Sequence, residues 1–258
     1  MRFRPCIDIH NGKVKQIVGG SLKDEGDLAA ENFVSEQDAE FFADFYKKDG
    51  LQGGHVILLN SKDSPWYTDT RRQAMSALAA YPGGLQVGGG ITDENAAEFL
   101  KAGASHVIVT SFVFQNGAFY PDHLERLLRE VGKEHLVLDL SCRKKDGLYY
   151  IVTDRWQKFT EVVLTPAIFD ELAGSCDEFL IHAVDAEGKA KGIERELAMM
   201  LGAWNGIPVT YAGGVGSFED LEELRLCGKN RIDVTVGSAL DLFGGTMSYE
   251  KVLQVCSL

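Results

Sequence analysis

Short apolar runs recur along the chain, each followed by turn residues and then by a stretch with helical spacing of apolar positions. Eight runs predict strands: Phe3 to Ile9, His55 to Leu59, Leu85 to Val87, His106 to Thr110, His135 to Leu140, Phe179 to Val184, Ile207 to Tyr211 and Ile232 to Val236. They are nearly continuous in apolar residues, as are strands buried on both faces of a parallel sheet. The spacing between them predicts helices over Ser35 to Gly50, Thr70 to Tyr81, Asp93 to Gly103, Pro121 to Val131, Glu194 to Trp204 and Ser217 to Gly228. In the last of these Ser217 is the N-cap, Phe218, Leu221, Leu224 and Leu226 form the inner face, and Gly228 follows the end. A length of 258 residues fits one large α/β barrel or two small domains. Eight strand–helix units without a linker favour one (β/α)8 barrel, a TIM barrel, spanning residues 1–258.

The pattern also repeats within the chain. Cys6-Ile7-Asp8-Ile9 in the first half matches Leu138-Asp139-Leu140-Ser141-Cys142 in the second. Gly88-Gly89-Gly90-Ile91-Thr92 matches Ala212-Gly213-Gly214-Val215-Gly216, and Val109-Thr110-Ser111 matches Val236-Gly237-Ser238. These matches predict two half-barrels related by a pseudo-twofold axis.

Candidate chemistry follows from the repeat. Active sites of such barrels lie at the C-terminal ends of the strands, where Asp8 and Asp139 fall, one in each half. An aspartate at a strand end can simply cap a turn. Two at matching positions facing one mouth suit an acid–base pair, given environments that separate their pKa values. A lone glycine run can be a tight turn. Two sets, Gly89 and Gly90 with Thr110 and Ser111, and Gly213 and Gly214 with Gly237 and Ser238, predict two phosphate cradles made of backbone N–H groups and hydroxyls. The expected ligand is elongated, with a phosphate at each end.

Arg143, Trp156, His182 and Asp185 are further candidate substrate contacts. Trp156 suits stacking on a planar group or anchoring in a core. The polar segment from Arg143 to Trp156 reads as a lid. His10, His55, His106 and His182 lie near strands without metal-ligand spacing, so no metal is expected. Cys142 has no neighbouring histidine and reads as structural.

Composition narrows the partners. The net charge of −12 argues against nucleic acid, though not against a small phosphorylated ligand. Five widely spaced cysteines without a C-x-x-C pair predict reduced thiols and a cytosolic location. No signal peptide or membrane-length apolar run is visible. A closed barrel leaves no sheet edge that demands a partner, so a monomer is expected.

Several motifs in order resemble the phosphoribosylformimino-aminoimidazole-carboxamide ribotide isomerase family. They are the run Pro5 to Gln16, Leu85 to Ile91, Val137 to Arg143, Tyr211 to Gly214, and Gly237 to Asp241. Gly53-Gly54-His55-Val56 and Asp185-Ala186-Glu187-Gly188 resemble its fungal and plant branch most. The resemblance implies a cofactor-free, metal-free Amadori rearrangement of a bisphosphorylated ribotide, with Asp139 as general acid and Asp8 as general base. The bacterial pattern has Thr after the strand-6 His and Arg after the third-strand glycines, where this chain has Ala183 and Thr92. Those two contacts do not carry over, and Asp185 is the expected substitute on strand 6. The sister cyclase, imidazole glycerol phosphate synthase, shares the repeat but carries Lys where this chain has Gln16. A second isomerisation, of phosphoribosyl anthranilate, and a non-catalytic sugar-phosphate-binding barrel are the other readings.

Overall fold

The computed structural model describes residues 1–18, 21–23, 28–154, 156–189 and 192–257. All eight expected strands form close to their predicted limits: β1 (Cys6–His10), β2 (Gly54–Leu58), β3 (Leu85–Gly88), β4 (His106–Val109), β5 (Leu136–Asp139), β6 (Glu178–His182), β7 (Val209–Ala212) and β8 (Ile232–Thr235). Each pairs in parallel with the next, from Ile7 beside Val56 in the first pair to Tyr211 beside Val234 in the last. The ring is completed ahead of β1 by one parallel bridge between Phe3 and Val234. There the Arg4 N–H donates to the Val234 carbonyl at 2.8 Å, and the Val234 N–H donates to the Arg2 carbonyl at 2.9 Å. The fold is a TIM barrel.

Strand side chains alternate between two surroundings. Ile7, Val56, Val87, Val107, Leu138, Phe179, Tyr211 and Val234 join the large core between strands and helices. Inside the barrel, Ile57 packs on Ile108, Val137 and Leu180 in a separate small cluster. Below that layer the interior is polar. Glu178 accepts from Gln86 at 2.9 Å and Thr210 at 2.5 Å, and Arg4 Nε donates to Asp233 at 2.9 Å. Runs that look uniformly apolar thus conceal inward positions held by buried polar side chains.

Among the described residues, eight α-helices surround the ring: α1 (Ala39–Lys48), α2 (Tyr67–Ala80), α3 (Ala96–Lys101), α4 (Pro121–Val131), α5 (Pro166–Ala173), α6 (Arg195–Ala203), α7 (Phe218–Cys227) and α8 (Tyr249–Cys256). Ser217 caps α7 as expected, accepting from the Asp220 N–H at 3.1 Å. Leu226 does not face inward. It is 69% exposed, because the α7 stripe runs through Leu221 and Leu224.

Three insertions emerge at the C-terminal ends of the strands. A hairpin (Lys13–Ile17 with Glu31–Val34) continues from β1. A short hairpin (Phe114–Gln115 with Ala118–Phe119) follows β4. The segment read as a polar lid is a three-stranded antiparallel sheet: Cys142–Lys145, Leu148–Thr153 and Lys158–Val163. Its residue Arg155 lies outside the described residues.

Candidate active site

The mouth of the barrel opens into a cleft of about 550 Å³, joined by shared walls to a cavity of about 30 Å³. Asp8 and Asp139 both line the cleft: Asp139 ends β5 and Asp8 stands in the middle of β1, each with its side chain on the inward parity. His182, the last residue of β6, lines both spaces with Asp8 and Glu187.

The two glycine sets fall one to each space. Gly89, Gly90, Thr110 and Ser111 line the cleft, and Gly213, Gly214, Gly237 and Ser238 line the small cavity. Gly89 and Gly213 make the repeat visible in three dimensions, with φ of 101° and 111°. A Cβ on Gly89 would meet the Leu58 carbonyl at 2.1 Å, and one on Gly213 the Ala183 carbonyl at 2.7 Å. Each position needs glycine twice over, for its left-handed backbone and for the carbonyl of the preceding strand-end segment.

The two aspartates sit in different surroundings. Burial pushes the Asp8 carboxyl up to about 7, the Glu187 charge adds to the rise, and His182 opposes it. Burial also acts on Asp139, but His182 and Ser141 outweigh it and hold Asp139 below the usual carboxylate range. Asp139 Oδ1 accepts from the Ser141 N–H at 2.8 Å and its hydroxyl at 2.6 Å. His182 Nδ1 stands 3.8 Å from the same oxygen, an ion-pair distance too long for a hydrogen bond. Burial lowers the basicity of His182, yet the Asp139 carboxylate reverses this and raises its pKa. His55, 5.8 Å away between ring centroids, is pushed by burial and by His182 down to about 3, and is neutral.

Trp156 lines the cleft, its Nε1–H donating to the Ser141 hydroxyl at 3.0 Å. Its backbone is left-handed (φ 67°), and its ring centroid is 5.3 Å from that of His182. The antiparallel sheet is also tied to the first glycine set, since the Asp154 N–H donates to Ser111 Oγ at 3.1 Å. Arg143 and Asp185 lie outside both linings and are paired with each other, Nε to Oδ1 at 2.8 Å. Glu187 was not singled out from the sequence, although it lines both spaces and burial raises its pKa. Gln16, the position at which the cyclase carries Lys, also lines the small cavity, its Nε2 donating to Cys6 Sγ at 3.6 Å. Among the described residues, no group of three or more His, Cys, Asp or Glu is placed to hold a metal ion. No helix among them is long and apolar enough to cross a membrane.

Fold and cleft together define the class: a (β/α)8 barrel with titratable side chains gathered at its mouth between two matched glycine loops. Residues 2–247 match the histidine biosynthesis protein family, and the chain belongs to that family. It is 55% identical over 257 residues to a Medicago truncatula protein named 1-(5-phosphoribosyl)-5-((5-phosphoribosylamino)methylideneamino) imidazole-4-carboxamide isomerase, chloroplastic, covering 98% of this chain and 81% of that one. Proteins with the same enzyme name from Neurospora crassa (46% over 247 residues) and Saccharomyces cerevisiae (43% over 253 residues) cover 95% of this chain and 93% and 94% of theirs.

Proposed function

We propose that the protein is the histidine-biosynthesis isomerase its relatives are named for. It converts the aminoaldose end of a bisphosphorylated imidazole-carboxamide ribotide into an aminoketose, as a single barrel domain, a monomer, and without a cofactor. The observation that carries this reading is the pair of differently tuned aspartates between two matched glycine loops. An elongated ligand with a phosphate in each loop would lay its sugar across Asp8, His182 and Asp139.

The chemistry needs one proton given and one taken. As the ribose C1–O bond breaks, driven by the nitrogen lone pair, the ring oxygen takes a proton from the Asp139–His182 pair. In that pair the proton rests on the imidazole, whose pKa is raised beside the carboxylate. The opened sugar is a protonated imine. Asp8 then removes the C2 proton, and the resulting enolamine tautomerises to the aminoketose. A carboxylate poised near 7 is a far stronger base than a solvated one, while still ionised in part at neutral pH.

The test is turnover of the formimino ribotide without added metal, with Asp8→Asn and Asp139→Asn alongside. Each substitution should lower kcat at least about a hundredfold, the low end for a positioned acid or base. Binding without turnover in the unsubstituted protein would sink the reading. A cytosolic location belongs to the same proposal. Since the Medicago relative is named chloroplastic, fractionation of the source cell checks it.

A further inference from the structure

The large cleft is short of positive charge. Asp8, Asp139, Asp154 and Glu187 line it against one Lys or Arg among the described residues, Lys62. Among the described residues, no Lys or Arg lines the small cavity. A phosphate entering an acidic cleft on a chain of net charge −12 needs a local counter-charge.

The two glycine loops differ in what stands behind them. Behind Gly213 and Gly214 lies α7, ten residues long with Ser217 as its cap. Behind Gly89 and Gly90 lies α3, only six residues long and without a side-chain cap hydrogen bond. A helix that short gathers little dipole. Moreover, Asn95 turns back on the loop, accepting from the Thr92 N–H at 2.8 Å and donating to the Gly90 carbonyl at 3.1 Å. The first loop therefore lacks the partial charge that α7 gives the second.

Lys62 lines the same cleft as this loop. It lies on the β2–α2 turn, four residues after Leu58, whose carbonyl stands against Gly89. The turn is pinned. Asn60 Oδ1 accepts from the Asn11 N–H at 2.8 Å and from the Thr70 hydroxyl at 2.7 Å. Asn60 Nδ2 donates to Asn11 Oδ1 at 2.7 Å and to Ser64 Oγ at 3.2 Å, and the Ser64 N–H closes the turn onto the Ser61 carbonyl at 3.1 Å. Fixed backbone beneath a flexible four-carbon stem lets an ammonium meet an incoming anion at small ordering cost.

We propose that Lys62 is the cation that clamps the phosphate held by Gly89, Gly90, Thr110 and Ser111. This rests on the reading of the cleft as a ribotide phosphate site. The test compares Lys62→Met, Lys62→Arg and, as a control of equal charge change on the surface of α3, Lys101→Met. In steady-state turnover, Lys62→Met should raise KM about tenfold or more, the size of one charge-assisted hydrogen bond, with kcat within about twofold. Lys62→Arg should restore most of the loss, Lys101→Met should change neither constant, and added salt should shrink the Lys62→Met defect. Calorimetry with inorganic phosphate is run beside it and needs no turnover. Phosphate binding lost in Lys62→Met, in a protein that turns nothing over, would sink the isomerase reading and leave the clamp standing. Normal turnover with KM unchanged in Lys62→Met would overturn the clamp and leave the isomerase standing.

Discussion

In the role proposed for it, Asp8 sets stability against chemistry. Its folded pKa, near 7, is raised above the value of an unfolded aspartate, about 3.9. Its contribution to folding is therefore complete below about pH 4 and is lost as pH rises through 7, where the desolvated carboxylate ionises. Asp8→Asn should raise Tm relative to the unsubstituted protein at pH 8, and by progressively less towards pH 5, while abolishing turnover. Scanning calorimetry across that range checks it, and a Tm gain independent of pH would refute the electrostatic account. The rate profile has the opposite sign on its acid side. kcat/KM should climb as pH rises through about 7, as Asp8 becomes the base, and fall again where His182 loses its proton. His182→Gln should remove the alkaline fall and lower kcat about a hundredfold. Asp8, Asp139 and the glycines were legible because the repeat marks them twice. Glu187 was not, because its place depends on how the segment after β6 folds back over Gly213, where its Oε2 lies 3.2 Å from the Cβ that Gly213 lacks. Arg143 and Asp185 read as candidate substrate contacts for a related reason: polar residues near strand ends look functional, and here the two also pair with each other.

That pair matters at the scale of elements. Arg143 lies on the first strand of the antiparallel sheet over the cleft, and Asp185 on the segment after β6; Asp185 also accepts from the Lys144 N–H at 3.0 Å. Both side chains are about one-third exposed, so the ion pair is a modest tie between two elements. A double-mutant cycle on Arg143→Ala and Asp185→Ala should give a coupling of about 0.2–1 kcal/mol, with KM unchanged in each single variant. A marked rise in KM for either would make it a substrate contact. Strands and most helices were legible, since apolar runs and 3.6-residue spacing follow directly from burial. The eight-residue α8 was missed, and so was α5, although Thr165 caps it, with Oγ1 accepting from the Ile168 N–H at 3.3 Å, and Pro166 opens it. At eight residues it is too short for its periodicity to stand out. The segment from Arg143 to Trp156 reads as a polar lid, without strands, because one face of its antiparallel sheet meets solvent. Tyr149 and Ile151 are buried while Leu148 is exposed, and that alternation is diluted by the charged Arg143, Lys144 and Lys145.

For the whole molecule, the end of the barrel opposite the cleft is closed by charge. Arg4 is buried with Glu178 and Asp233, and its Nη1–H donates to the Gln52 carbonyl at 2.8 Å. Gly53 leaves room for it, since a Cβ there would fall 1.6 Å from the guanidinium. Arg4→Met would take the counter-charge from buried Glu178 and leave Asp233 only the exposed Arg2, and should cost about 3–5 kcal/mol in urea unfolding, with KM nearly unchanged in whatever remains folded. A loss below about 1 kcal/mol would mean that water reaches and replaces the guanidinium. Nearby, the single Phe3–Val234 bridge joins the first and last staves of the ring. On a ribosome the first stave emerges long before the eighth has been made. Until then the opening stretch has no neighbour on one flank, and the newest strand always presents an open edge. The nascent chain must travel nearly the whole course of its synthesis as an unsealed trough, with its most aggregation-prone moment falling just before the last strand is released.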